Sequence, residues 1–321
     1  MRKHWVSASL FSLTLMVLSA GAASAQDFPG KPIRIIASPP GGSNNFVARL
    51  VGQGLNESAG WQVIVDNRPS GGFIQGELLA KSAPDGYTLL VAAGSFTIGP
   101  LFEKAPYDVV TDFAPVSLVS TSPSVLSVHP SMPVKSVRQL ITLAKARPKD
   151  LNFSTSGTGS ANHLPAELFK YMAGVDLVRI NYRGAGPALT ALIGGEVHVM
   201  FATASSVAPH IKASRLRGLA ITSAKESALI PGLPTIAASG VPGYDFVSPF
   251  GLLAPAKTPP AIINRLNQEI VRVLGQRELR QRFLDTGSEV VASTPEEYVA
   301  AIKTELSTWG KVIREAGLAN K

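Results

Sequence analysis

Seven short apolar runs punctuate this chain, and six of them end in a turn of small residues that opens a helical pattern. The runs at Ile33–Ala37, Gln62–Asp66, Tyr87–Ala92, Leu151–Ser154, Leu177–Tyr182, Val197–Phe201 and Leu216–Ile221 are rich in Val, Ile, Leu and Phe and too short for ordinary helices. Strands alternating with helices are the pattern of an α/β chain with a parallel sheet, because parallel neighbours need a crossover and a helix supplies it. Such a chain gathers its turns beyond the strand C-termini, the edge where open α/β sheets bind ligands.

The first of these turns is Gly41-Gly42-Ser43-Asn44-Asn45. A helix start carries four N–H groups without intrahelical partners and the positive end of the helix dipole, and glycines allow close approach to the backbone. That chemistry suits an anion. The second turn runs from Arg68 to Phe73, the third from Ala92 to Phe96, the fourth from Ser154 to Ser160, the fifth from Tyr182 to Pro187 and the sixth from Ala202 to Ser206. Together they offer Gly41, Gly42, Ser43, Asn45, Gly72, Phe73, Ser95, Ser156, Gly157, Gly159, Ser160, Tyr182, Gly184 and Thr203 as ligand-binding residues. Backbone N–H groups and small hydroxyls hold a carboxylate without a buried arginine. Arg68 and Arg183 read either as carboxylate clamps or as ion partners. Phe73 and Phe96 either wall a pocket or pack beneath it. His163 sits close enough to the fourth turn to anchor it.

No catalytic signature stands beside these turns. The chain has no Gly-x-Ser-x-Gly elbow, no His-Glu-x-x-His and no phosphate-binding Walker loop, and its five histidines are never four apart. This argues against an enzyme, a metal site and a bound cofactor. A formal charge of +8 raises the question of nucleic acid, but the Lys and Arg residues are scattered, with no run of four and no aromatic cluster among them. A mildly basic chain of this kind attracts small acidic molecules.

The N-terminus opens with Arg2, Lys3 and His4, continues through an apolar stretch to Ala20 and reaches Ala23-Ser24-Ala25, which reads as a cleaved signal peptide over residues 1–25. An exported chain with no cysteine must be held together by its core alone. Toward the C-terminus, Ile262, Leu266, Ile270 and Leu274 share one helical face, as do Tyr298, Ile302, Leu306, Trp309 and Ile313. Ser136 with Gln139 and Thr294 with Glu297 form capping boxes, and Thr258 before Pro259 reads as a helix cap. Two extended stretches, Val116 to Val128 and Phe246 to Leu253, are placed to carry the chain into a second lobe and back. That divides it into one lobe of residues 26–127 plus 246–321 and another of 128–245, joined by a two-strand hinge.

The motifs Phe28-Pro29-Gly30-Lys31-Pro32-Ile33-Arg34, Gly41-Gly42-Ser43 with Ala48-Arg49, Val65-Asp66-Asn67-Arg68-Pro69 and Pro84-Asp85-Gly86-Tyr87-Thr88-Leu89-Leu90 resemble those of the tripartite tricarboxylate transporter receptors, the Bug or TctC-type extracytoplasmic solute receptors. Asp112-Phe113-Ala114-Pro115-Val116, Gly157-x-Gly159-Ser160-x-x-His163-Leu164, Tyr182-Arg183-Gly184, Gly194-Gly195 and Leu233-Pro234-Thr235 extend the resemblance over the whole chain beyond the leader. It implies a type II periplasmic binding protein fold, two α/β lobes closing on a small carboxylate. It also implies a monomeric periplasmic receptor that delivers its ligand to large and small permease subunits. One position departs from the family pattern: Asn45 stands where relatives usually carry Asp, which removes a negative charge if position 45 faces the cleft, and disfavours amino acids if the Asp of relatives selects a ligand ammonium. Two other functions fit the same scaffold. One is a ligand sensor docking on a sensor kinase; the other is an exported enzyme, and ligand turnover would reveal it.

Overall fold

The computed structural model describes residues 28–40, 43–69 and 73–315; the leader proposed over residues 1–25 lies outside them. The chain builds β1 (Ile33–Ala37), α1 (Ser43–Ala59), β2 (Val63–Asn67), α2 (Ile74–Ala80), β3 (Thr88–Ala93) and α3 (Gly94–Phe102) before entering a long strand, β4 (Phe113–Val128). A second series follows: α4 (Val137–Ala146), β5 (Asn152–Thr155), α5 (Leu164–Ala173), β6 (Val178–Asn181), α6 (Ala185–Ile193), β7 (Val199–Thr203), α7 (Ala204–Lys212) and β8 (Arg217–Ile221). The chain returns through β9 (Val247–Pro255) and ends in α8 (Pro260–Leu274), α9 (Arg277–Asp285), β10 (Glu289–Val290) and α10 (Pro295–Glu315).

The seven expected strands are all present, displaced by a residue or two at their ends. Their arrangement is parallel within each series: β1 runs parallel to β2 and β3, and β5 to β6 and β7. The parallel order ends at the crossing. β9 is antiparallel to β3 and β4, and β4 is antiparallel to β7 and β8. The reason is topological, since a strand leaving one half and a strand returning to it travel in opposite senses. The path through the sheet is β2-β1-β3-β9-β4-β7-β5-β6, with β8 and β10 also on β4.

β4 changes partner along its length. Phe113 to Pro123 face β9, and Ser124 to Val128 face β7. The change falls at Pro123, whose missing N–H makes it a natural end for a ladder. Each half has its own core. Ile35, Leu55, Leu89 and Leu266 belong to the first, and Phe153, Phe169, Phe201 and Tyr244 to the second. Helix α10 serves both: Tyr298 and Ile302 pack with Leu90 and Leu253, whereas Trp309, Val312 and Ile313 join the core of the second half.

The capping expectations have three outcomes. At α10 the box closes both ways, with the Glu297 N–H donating to Thr294 Oγ1 (3.2 Å) and the Thr294 N–H to Glu297 Oε2 (2.9 Å). At α4 the Gln139 N–H donates to Ser136 Oγ (3.3 Å), but the Gln139 carbonyl accepts from the Lys135 N–H instead (2.6 Å). At α8 the Thr258 cap is not formed: Pro259 holds the cap position, Pro260 begins the helix, and the Thr258 hydroxyl is buried without a partner. With two consecutive prolines the second takes the first helical position. Among the described residues no helix is long and apolar enough to cross a membrane.

Candidate functional site

The C-terminal ends of β1, β2 and β3 in one half, and of β5, β6 and β7 in the other, carry the six turns. Of the first turn, Gly41 and Gly42 lie outside the described residues, as does Gly72 of the second. Around the first turn, the Asn67 side chain donates to the Ser38 carbonyl (2.5 Å) and the Asn44 side chain to the Val91 carbonyl (2.9 Å), tying the end of β1 to its neighbours. Ser43 opens α1 and is exposed. Asn45 is 2% exposed. Its carbonyl oxygen accepts from Arg49 Nε at 3.1 Å, which fixes the orientation of the amide and turns Nδ2 the other way. Among the described residues Nδ2 has no partner, nor has the buried hydroxyl of Ser38. A buried donor left in this state costs on the order of 1–3 kcal/mol, so the turn holds hydrogen-bonding capacity that a polar ligand or a water can take up.

The second and third turns lean on aromatic packing. Phe73 adopts a left-handed backbone (φ 62°), and its ring meets Tyr107 edge-on with centroids 5.8 Å apart. Phe96 stacks on Tyr107 at 5.1 Å and meets Phe113 edge-on at 5.1 Å. Both phenylalanines are therefore floor rather than open wall. Arg68 and Arg34 both pair with Asp66, at 2.9 and 3.0 Å, so Arg68 serves as an ion partner. Ser95, in the first turn of α3, is exposed.

The fourth turn is organised from within. Gly157 (φ +127°) and Gly159 (φ +73°) adopt backbone conformations closed to other residues at low cost. Asn162 Oδ1 accepts from the Ser156 N–H (3.1 Å), the Ser156 hydroxyl (2.8 Å) and the Ser160 hydroxyl (2.7 Å). The Gly159 N–H donates to His163 Nδ1 (3.1 Å), so His163 anchors the turn as its position suggested. The other ring nitrogen, Nε2, lies 2.8 Å from Arg179 Nη1 and 3.6 Å from Glu167 Oε1. Burial raises the Glu167 pKa, but the hydrogen bond from His163 and the charge of Lys170 outweigh it and hold the carboxyl below its ordinary value. Asn162 is the organiser that sequence reasoning passed over; its signal is an amide two residues beyond Ser160 in an otherwise hydroxyl-rich turn.

At the fifth turn the Tyr182 N–H donates to the Thr155 carbonyl (2.8 Å), drawing it against the fourth, and Gly184 (φ +121°) caps α6. At the sixth, the Thr203 hydroxyl donates to Ser206 Oγ (3.0 Å). Besides the packing of α10, the two halves touch near the turns. A Cβ on Gly159 would stand 4.0 Å from the Cα of Ser95; the Phe102 and His163 rings lie 5.9 Å apart; and a Cβ on Gly287 would fall 2.9 Å from the Ser205 nitrogen. The third and fourth turns thus face each other directly across the boundary between the halves.

A profile described as "tripartite tricarboxylate transporter family receptor" matches residues 47–318. Protein BugT of Bordetella pertussis is 37% identical over 311 residues, 94% of this chain and 95% of its own length. Among solved structures, R. palustris Rpa4515 with adipate is 34% identical with a TM-score of 0.83, covering 91% of this chain and 99% of that one. MatC from Rhodopseudomonas palustris with bound malate is 28% identical with a TM-score of 0.79, covering 89% of this chain and 100% of that one.

Proposed function

Because this chain belongs to the tripartite tricarboxylate transporter receptor family, with the type II-like fold of its solute-binding relatives, we propose that it is a periplasmic receptor that captures a small carboxylate between its two lobes. It delivers the ligand to a permease of one large and one small membrane subunit and releases it unchanged. The leader over residues 1–25 exports it; the lobes are residues 26–127 with 246–321, and 128–245; β4 and β9 form the hinge.

The observation that carries this reading is the meeting of Gly159 with Ser95, two small-residue turns from opposite halves in contact. A ligand held by both turns binds the closed arrangement better than an open one and shifts the population toward it. Adipate and malate, the acids bound to the two solved relatives, supply the ligand class. The binding set is the turn residues: Ser43, Asn45, Ser95, Ser156, Gly157, Gly159, Ser160, Tyr182, Gly184 and Thr203, with Gly41, Gly42, Phe73 and Gly72. Calorimetric titration with a panel of mono-, di- and tricarboxylates that includes adipate and malate should give saturable binding to one site. Ser156→Phe, which fills the turn, should lower that affinity at least about 100-fold while the protein still unfolds cooperatively. A panel without a single binder would sink the reading.

A further inference from the structure

Helix α10 presents one stripe to the rest of the molecule: Tyr298, Ile302, Glu305, Trp309 and Val312, spaced alternately four and three apart. Four are buried apolar or aromatic residues of the two cores. Glu305 is the exception, midway between the part of the helix packed on the first half and the part packed on the second. Its Oε1 would lie 3.1 Å from a Cβ on Gly94, the first residue of α3, where Pro249 of β9 also approaches. The carboxyl therefore sits beneath the start of α3, one residue from Ser95.

Among the described residues no side-chain cation pairs with it, and the opposing field is the positive end of the α3 dipole at Gly94. α10 packs on α3, β4 and α8, and Tyr298 closes on Gly251 of β9. The sequences of α3, β4 and β9 contain no ionisable side chain. On α8, Arg265 and Arg272 both pair with Glu269, at 2.8 and 2.6 Å. On α10 itself the titratable neighbour along the stripe is Tyr298, two turns back. Glu305 enters none of the ion pairs among the described residues. Loss of hydration is the dominant influence, and it pushes the carboxyl up to about 8, against a smaller opposing effect of the Thr97 hydroxyl.

We propose that Glu305 links carboxylate binding to proton uptake: neutral beneath the loaded cleft and in competition with the ligand when ionised. The inference rests on the carboxylate reading above. A ligand carboxylate near Ser95 adds negative charge beside a group with no cation to offset it, so it favours the protonated form. The bound state then holds more protons than the free state, and affinity must fall as pH rises through the free-state value.

The test is titration of the whole mature protein with adipate and malate, from about pH 6 to about pH 9.5, in pairs of buffers that differ in protonation enthalpy. Wild type should take up about 0.4 of a proton per ligand near pH 8, half a proton being the ceiling there, and lose about tenfold in affinity over the alkaline part of the range. Glu305→Gln should take up none there and keep its affinity at the alkaline end. Binding without proton uptake by wild type, or a pH dependence that Glu305→Gln retains, overturns the inference and leaves the receptor reading intact. Failure of every acid in the panel to bind removes both. If Glu305→Gln does not fold, the wild-type proton count decides alone.

Discussion

The β1–α1 turn and the β5–α5 turn are built from similar residues yet stand in opposite states. In the β5–α5 turn the hydroxyls of Ser156 and Ser160 are already held by Asn162, and the Gly159 N–H by His163. In the β1–α1 turn Asn45 Nδ2 and the Ser38 hydroxyl are buried without partners among the described residues. The difference lies in reach: Asn162 and His163 are near enough in sequence to fold back on their own turn, whereas Asn45 is drawn along its helix toward Arg49, one turn on. One turn is therefore a finished surface, whose shape the ligand meets. The other retains hydrogen bonds to give.

The largest effect expected from breaking this contrast is at Asn162. Asn162→Ala removes the acceptor of the Ser156 N–H and hydroxyl, while the Ser160 hydroxyl keeps the Gly157 carbonyl at 2.7 Å; it should lower stability by about 2 kcal/mol in urea unfolding, with carboxylate affinity falling more than tenfold. Intact affinity would mean that the order of this turn is irrelevant to binding.

Glu305, under the turn that faces Gly159, should give the next effect. Its folded-state pKa of about 8 lies above the ordinary 4.5 of a free glutamate, so the unfolded chain ionises first. Stability contributed by the neutral folded form is therefore present at low pH and declines as pH rises from about 4.5 to about 8. Glu305→Gln should flatten that decline and gain about 2 kcal/mol at pH 8, a figure reduced for the residue's partial exposure. Parallel wild-type and variant melting curves across this range would refute the assignment.

Asn45→Asp should give the smallest effect. An acid there keeps the Arg49 partnership and replaces the free N–H groups with an acceptor, so adipate and malate should weaken about fivefold while stability changes by less than about 0.5 kcal/mol. Unchanged affinity would show that the free amide faces water rather than ligand.

Much of this organisation is legible in the chain. Strand positions, the small-residue turns that follow them and the anchoring role of His163 all rest on neighbours within a few residues. Arg68 was ambiguous because its two readings differ only in whether Asp66, two residues away, turns toward it; the sheet turns it so. Phe73 and Phe96 were ambiguous because Tyr107, which packs against both, belongs to a later loop. Glu305 is not legible in the chain because a helical stripe traced through Leu306 skips it, and only the packed α10 shows which residue points inward.

By itself the sequence determined the alternation of strand, turn and helix, the family resemblance and the residue types at the turns, since these depend on local propensity and periodicity. The tertiary structure decided the antiparallel crossing through β4 and β9, the contact of Gly159 with Ser95, and the isolation of Glu305. Each of these joins residues far apart in the chain, and whether a polar group finds a partner is settled only when distant elements pack and remove the water.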